Sequence, residues 1–495
     1  MLPHIANLIC ALGLFSAAYG QYATPRTGVD WNMDSLVVRS GGVVVATAEG
    51  YRIKADLKID SSDAVRILQN TKITLDSMVL VTVSRSTFIV DPPDAVVFTA
   101  TDSTKVFKGF RFEDTPGASL KKATIEFGGG IKVSGADVVF DHCIIRKNTK
   151  AYTSGAIDIT TGNPVITNSV FYGNERSAIS SGANLAAAPV IRNNVMYHNV
   201  TDNSNRPQIN LGPSGAADTT IITGNTITGE FVMSGGISFS SLLGTPGNAI
   251  IDSNTIVGNR YGITSTGANL FTKIRHNVIE DNNIQNNPTL GGSGISFQSS
   301  GGNNRSIVSY NEIRGNLWGI TIIGQATPNL GDNTPQSPGF NIIENNMNAT
   351  QLGDLFNNTA LDIFAMNNCW GGTIDSVDIE ALISHDADDT ALGHVYFMPA
   401  WDCYNTLGVT ESTLKSDPTL FPNPAADVVN IRVNGEGTYL VTIFSATGTA
   451  VIGERFQTAG GPIQIPVDTL KPGIYMVRTT DGSGTARTHR LVINR

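Results

Sequence analysis

Charge is scarce in this sequence: Asp, Glu, Lys and Arg make up 15% of its 495 residues, against roughly a quarter in ordinary soluble chains. The 33 basic residues are outnumbered by 42 acidic ones. That balance excludes a basic nucleic-acid binder, and the 41% hydrophobic content excludes a disordered acidic chain. Cysteines number four, with no CxxC spacing of the kind that holds zinc. After the N-terminus no stretch of 18 apolar residues occurs, so the mature chain does not read as membrane-spanning. Helical apolar periodicity is missing from the centre. In its place stand 51 Gly and 43 Asn, residues that belong to turns.

The N-terminus carries an export signal. Ile5 to Ala18 is a short apolar run followed by Ala18-Tyr19-Gly20, a small-residue cleavage site, which makes residues 1–20 a signal peptide even though its leading segment offers His4 and no Lys or Arg. Cys10 lies inside the run behind Ile9, where a lipid anchor would need a small residue. Of Cys143, Cys369 and Cys403 at most one pair can form. Cys369 with Cys403 in an exported protein and three buried thiols both fit.

A frame of apolar-x-x-Asn-x-apolar-x-x-Asn recurs down the centre: Ile191-Asn194-Met196-Asn199, Ile251-Asn254-Ile256-Asn259, Ile274-Asn277-Ile279-Asn282 and Val308-Asn311-Ile313-Asn316. Looser copies are Phe140-Cys143-Ile145-Asn148, Ile166-Ser169-Phe171-Asn174 and Ile222-Asn225-Ile227, which ends in Glu230. Successive copies are 23 to 34 residues apart. A short alternating strand follows most copies, after Gly or Ala, as in Gly236-Ile237-Ser238-Phe239 and Gly294-Ile295-Ser296-Phe297. A unit this short cannot bury its own apolar face, so units must stack. The LxxLxL frame of leucine-rich repeats is absent, and a propeller blade needs about 40 residues. The remaining solution is a right-handed parallel β-helix, one coil per unit, with coils about 4.8 Å apart.

That geometry explains the asparagines, 34 of which fall between Asn163 and Asn368. Asn194, Asn225, Asn254, Asn277 and Asn311 should form a ladder of amides from coil to coil, at corners where Asn tolerates left-handed backbone. Alternating segments such as Leu57-Lys58-Ile59 and Val81-Thr82-Val83 extend the solenoid upstream, with first coils from about residue 36. Thr373 to His385 reads as an amphipathic helix lying over the open end, within a cap spanning 373–402.

These residues resemble the pectate-lyase-like superfamily of right-handed β-helices, and Asn367-Asn368-Cys369-Trp370-Gly371 is similar to the closing segment of secreted bacterial members. The fold class is therefore all-β: a right-handed parallel β-helix solenoid over 21–402, a linker over 403–420, and a small C-terminal β-sandwich over 421–495. The sandwich reading rests on short alternating strands with Gly and Pro turns. Phe421-Pro422-Asn423-Pro424-Ala425, Val428-Val429-Asn430-Ile431, Tyr439 to Phe444 and Pro472-Gly473-Ile474-Tyr475 resemble the type A C-terminal sorting domain of the type IX secretion system of Bacteroidota. The resemblance implies a sorting signal that includes Pro422, Asn423, Pro424, Gly473 and Tyr475. It also implies a translocon and a sortase-like protease as partners, and a secreted, extracellular or outer-membrane surface location.

Chemistry is harder to find. Enzymes of this fold act on polysaccharides with carboxylates or a calcium cluster on one sheet. Here the outward position of the Gly-Ile strands reads Asp158, Ser180, Ser238, Thr264, Ser296 and Thr321, one carboxylate among five hydroxyls. No galacturonan hydrolase motif is in place, and residues 151–370 hold eight Lys and Arg with no column among them. Trp318 and Tyr261 are candidates for stacking on sugars. The run His385 to Asp389 offers a calcium alternative to a solvated end, but no metal or other cofactor is required. The expectation is a monomeric exported glycan-binding or adhesin-like protein of unknown catalysis, with surface or environmental polysaccharide as partner. The alternatives are a polysaccharide lyase or hydrolase with its site in the loops, and a purely structural surface protein.

Overall fold

The computed structural model describes residues 20–183, 185–348, 351–404, 419–433, 436–445, 450–482 and 486–494. Most of the segments expected to be a signal peptide, 1–20, and a linker, 403–420, lies outside the described residues. The chain divides into two units, 1–405 and 406–495.

The first unit is a parallel β-solenoid of about 13 turns. Each full coil contributes a strand to each of three parallel sheets. One repeat shows the order: Ser234–Ser241 lies in the first sheet, Gly247–Asp252 in the second and Thr255–Val257 in the third. The sequence frame maps onto this directly. Its first apolar residue is the inward position of the second sheet, where Ile191, Ile222, Ile251 and Ile274 are in register. Its second is the inward position of the third, where Met196, Ile227, Ile256, Ile279 and Ile313 stack. In the first sheet Ile157, Ile179, Ile209, Ile237, Ile263, Ile295 and Ile320 form a third stack, all with no exposed surface. β-Branched side chains suit this stacking because their stiff rotamers repeat from coil to coil. Early coils fill the same space with Phe88, Phe98, Phe110, Phe112 and Phe140, whose rings mostly meet tilted or edge to face.

Two ladders run along the corners. In the first, the Oδ1 of each Asn accepts both the backbone N–H and the side-chain amide of the Asn one coil before. It runs Asn194, Asn225, Asn254, Asn277, Asn311, Asn341 and Asn368, at 2.8–3.1 Å throughout. The remaining amide hydrogen bonds a carbonyl of the second sheet, such as Ile191 for Asn225. The second ladder begins Asn148, Asn174, Asn199 and resumes Asn259, Asn282, Asn316, Asn346. Between them stands the coil that has Glu230 in place of Asn. The gap is filled from the first sheet: Gln208 accepts from Asn199 at 3.0 Å and donates to Asn259 at 3.3 Å and to the Thr228 carbonyl at 2.7 Å. The ladder ends on Asp354, which accepts from Asn346 at 2.8 Å.

Three expectations are corrected. Left-handed backbone falls on the residue before the ladder Asn: His276, Tyr310 and Phe340 have φ of 53, 59 and 58°. That residue turns the chain, so that the next side chain points into the solenoid. Parallel pairing also starts before residue 36, since Tyr22–Ala23 pairs with the Leu57 strand and Asp30–Trp31 with the Ala64 strand. A helix, Met33–Arg39, then closes the first coil with Met33 and Leu36 buried, and Asn32 and Ser35 cap it reciprocally. At the other end, the helix expected over 373–385 is only Ser376–Glu380. Val377 is 76% exposed, and Ile383–Ser384 pairs instead with the strand at Leu355 as a further coil. Cys369 and Cys403 form a disulfide, and Cys143 is a buried thiol.

The second unit is an antiparallel sandwich. One sheet holds Thr419–Phe421, Val428–Arg432 and Ile463–Pro466, the other Gly437–Ser445, Ala450–Thr458, Gly473–Thr480 and Ala486–Ile493. Val429, Ile431, Val441, Ile443, Val477 and Leu491 are among the residues of its core.

Candidate functional site

The outward face of the first sheet is the longest regular surface of the solenoid. Its central column runs, in register, Lys58, Thr82, Arg111, Lys132, Asp158, Ser180, Asn210, Ser238, Thr264, Ser296, Thr321, Phe356 and Ser384. All six positions read from the sequence fall on it. Asn210 was missed because Gln208, the ladder plug, stands where other strands carry the Gly that marks them. Asn210, Ser238, Thr264 and Ser296 are half-buried, while Ser180 and Thr321 are buried. Ser180 donates to Asp158 at 3.0 Å, and Thr321 is bonded to Ser293 at 3.0 Å. The centre of the column is thus a row of hydroxyls and one amide at coil spacing.

Glycine before the column isoleucine has a steric cause. A Cβ on Gly262 would meet the Gly294 carbonyl oxygen at 2.4 Å, and one on Gly236 the Gly262 oxygen at 2.5 Å. Loops rise where the strands begin, and Arg260 ties them together by donating to Gln285 at 2.6 Å, to the Leu290 carbonyl at 2.5 Å and to Asn205. This rim is held in place before any ligand arrives.

The two aromatic candidates are engaged. Tyr261 is half-buried with its ring against Gly235, and burial pushes its hydroxyl up to about 12. Trp318 donates to the Pro288 carbonyl at 3.1 Å and stacks on Phe356 with ring centroids 5.2 Å apart. Both rings therefore shape the rim, and Phe356 brings an aromatic into the column itself.

At the other end of the hydroxyl row sits a charged group that no single sequence segment displays. Asp202 lies within 3.3 Å of Lys150 and 3.4 Å of Arg176. Burial opposes its ionised form, but Ser204, Lys150 and Arg176 outweigh that and hold it below the usual carboxylate range. Burial, with the charge of Arg176, lowers the affinity of Arg206 for its proton, and Asp202 and Asp158 only partly offset this. Lys132 adjoins Asp158 in the column. Four cations face two carboxylates in a protein of net charge −9.

In the second unit Pro422, Asn423 and Pro424 are exposed. Asn423 clamps the last strand, accepting from the Val492 N–H at 2.8 Å and donating to the Arg490 carbonyl at 2.9 Å. Tyr475 donates to the Lys471 carbonyl at 2.9 Å, and Gly473 opens the strand that carries it.

Residues 419–494 match the family described as secretion system C-terminal sorting domain, and residues 215–374 match a protein family of unknown function, DUF1565. No curated protein matches the chain. Among solved structures, tailspike protein 2 of Escherichia coli O157:H7 bacteriophage CAB120 aligns with 89% of this chain at 10% identity and a TM-score of 0.25, and the chain spans 64% of that protein. The tailspike protein of Acinetobacter phage vB_ApiP_P1 aligns with 89% of this chain and 71% of its own length, at 11% identity and a TM-score of 0.15. Neither score supports an inference about activity. No described helix is long and apolar enough to cross a membrane. A parallel β-solenoid followed by a type IX sorting domain makes this a secreted protein of the cell surface or extracellular space.

Proposed function

We propose that the outward face of the first sheet binds a glycan chain along the solenoid axis. The observation that carries this reading is the uninterrupted row Asn210, Ser238, Thr264, Ser296. Hydroxyls and an amide repeated about every 4.8 Å along one sheet suit the repeated hydroxyls of a polysaccharide, with each contact weak and the sum appreciable. The excess of cations around Asp158 and Asp202 would hold carboxylates or sulfates at one end of such a chain. Delivery outside the cell places this surface where polysaccharide is met.

A second reading, a polysaccharide lyase, draws on Arg206. A lyase needs a base near acidic groups, and Arg206 is the cation in the cluster whose proton is held less firmly than usual. A glycan array on the purified solenoid, with an assay for unsaturated and reducing-end products on each glycan retained, separates the readings. Retention without products supports binding alone, products lost in Arg206→Ala support the lyase, and retention of no glycan contradicts both.

A further inference from the structure

The segment that closes the far end of the solenoid brings two imidazoles and a carboxylate together. His385 follows Ile383–Ser384, the last strand of the first sheet, and His394 precedes Val395–Tyr396, which pairs with Ile363–Phe364. Between them, Asp386 Oδ1 lies 2.8 Å from His385 Nδ1 and 2.9 Å from His394 Nδ1. The three ligand atoms lie within 4.8 Å of one another.

The hydrogen bonds around His385 show what is unusual here. Its side chain is 1% exposed, and its Nε2 lies 2.7 Å from Glu380. Its Nδ1 receives the Val395 N–H at 3.1 Å. The same Nδ1 lies 2.8 Å from Asp386 Oδ1, so a buried ring nitrogen and an exposed one, that of His394, converge on a single carboxylate oxygen. Other imidazole–carboxylate contacts among the described residues, His142 with Asp141, His198 with Glu230 and His276 with Asp252, each involve a single exposed ring.

We propose that His385, Asp386 and His394 form a site for a divalent transition-metal ion, Zn2+ being the ion that fits, and that this ion locks the closing segment onto the solenoid. Two imidazole nitrogens and one carboxylate oxygen are a zinc donor set, whereas calcium takes six to eight oxygens. Glu380 on the far nitrogen of His385 is the outer carboxylate that commonly orients a metal-bound imidazole. Asp386 and His394 are 40% and 43% exposed, which leaves the fourth position to water. Binding displaces the Val395 N–H from Nδ1, and the ion then joins the two ends of the 385–394 segment, between the last strand of the first sheet and the strand that pairs with Ile363–Phe364.

The test is titration of the chelator-treated full chain with ZnCl2, by calorimetry and by thermal unfolding. The proposal expects one saturable equivalent and a midpoint raised by several degrees. Both should be lost in His394→Ala and Asp386→Ala and kept in His276→Ala. An X-ray absorption spectrum of the zinc-loaded wild type, which needs no variant to fold, should show two imidazoles in the first shell. No saturable equivalent, full retention in both cap variants, an all-oxygen shell, or an equal response to Ca2+ would each overturn the site.

Discussion

Single side chains keep the solenoid continuous where the repeat fails. Gln208 stands in for the Asn that Glu230 replaces, reaching from a neighbouring sheet to join Asn199 to Asn259. Gln208→Leu should lower stability by about 1–3 kcal/mol by leaving two buried amides short of a partner, read as a reduced denaturant midpoint. An unchanged midpoint would show that the ladder tolerates a break. Asp354 is the second such residue. Burial, reinforced by the charge of Glu344, lifts its carboxyl from 3.8 to about 6, against the hydrogen bonds from Asn346. The folded chain then holds this proton more tightly than the unfolded chain. The resulting stabilisation is complete below about pH 4 and is lost as pH rises through 6, a change of about 3 kcal/mol at most. Asp354→Asn, which continues the ladder without charge, should be more stable than wild type at pH 7.5 and gain little at pH 4. A gain independent of pH would contradict the assignment.

Elements are legible where a residue type has one physical reason. The apolar-Asn frame located two sheets and both corners because every repeat meets the same neighbours. The Gly-Ile signal located the first sheet because a Cβ there strikes the next coil. Gly262→Ala should therefore cost roughly 1–3 kcal/mol, while Gly302→Ala, with nothing within 4 Å of the added carbon, should leave the unfolding midpoint unchanged. Equal effects would remove the steric account. The closing helix was over-read. Ile374, Val377, Ile379, Leu382 and Ile383 have helical spacing, but Ile383 is buried as a strand residue paired with Leu355 of the preceding coil, while Val377 is left exposed. Asn210 and the charged group around Asp202 were not legible. The first lacks the glycine mark, and the second assembles from separate coils through contacts no single stretch contains.

At the scale of the whole molecule, the two units have separate cores, and coils of a solenoid depend mainly on their neighbours. A chain ending at residue 405 should keep a cooperative unfolding transition and a β-rich far-ultraviolet spectrum yet remain in the periplasm of a host with type IX machinery, and its appearance in the medium would contradict the sorting role. The central claim concerns the first sheet. It is tested most directly by the dissociation constant of an array-selected glycan for Ser238→Arg with Ser296→Arg, against Thr255→Arg on the exposed face of the third sheet as control. The account predicts at least a tenfold weakening for the column variant and none for the control. Equal affinity in all three proteins would place binding elsewhere.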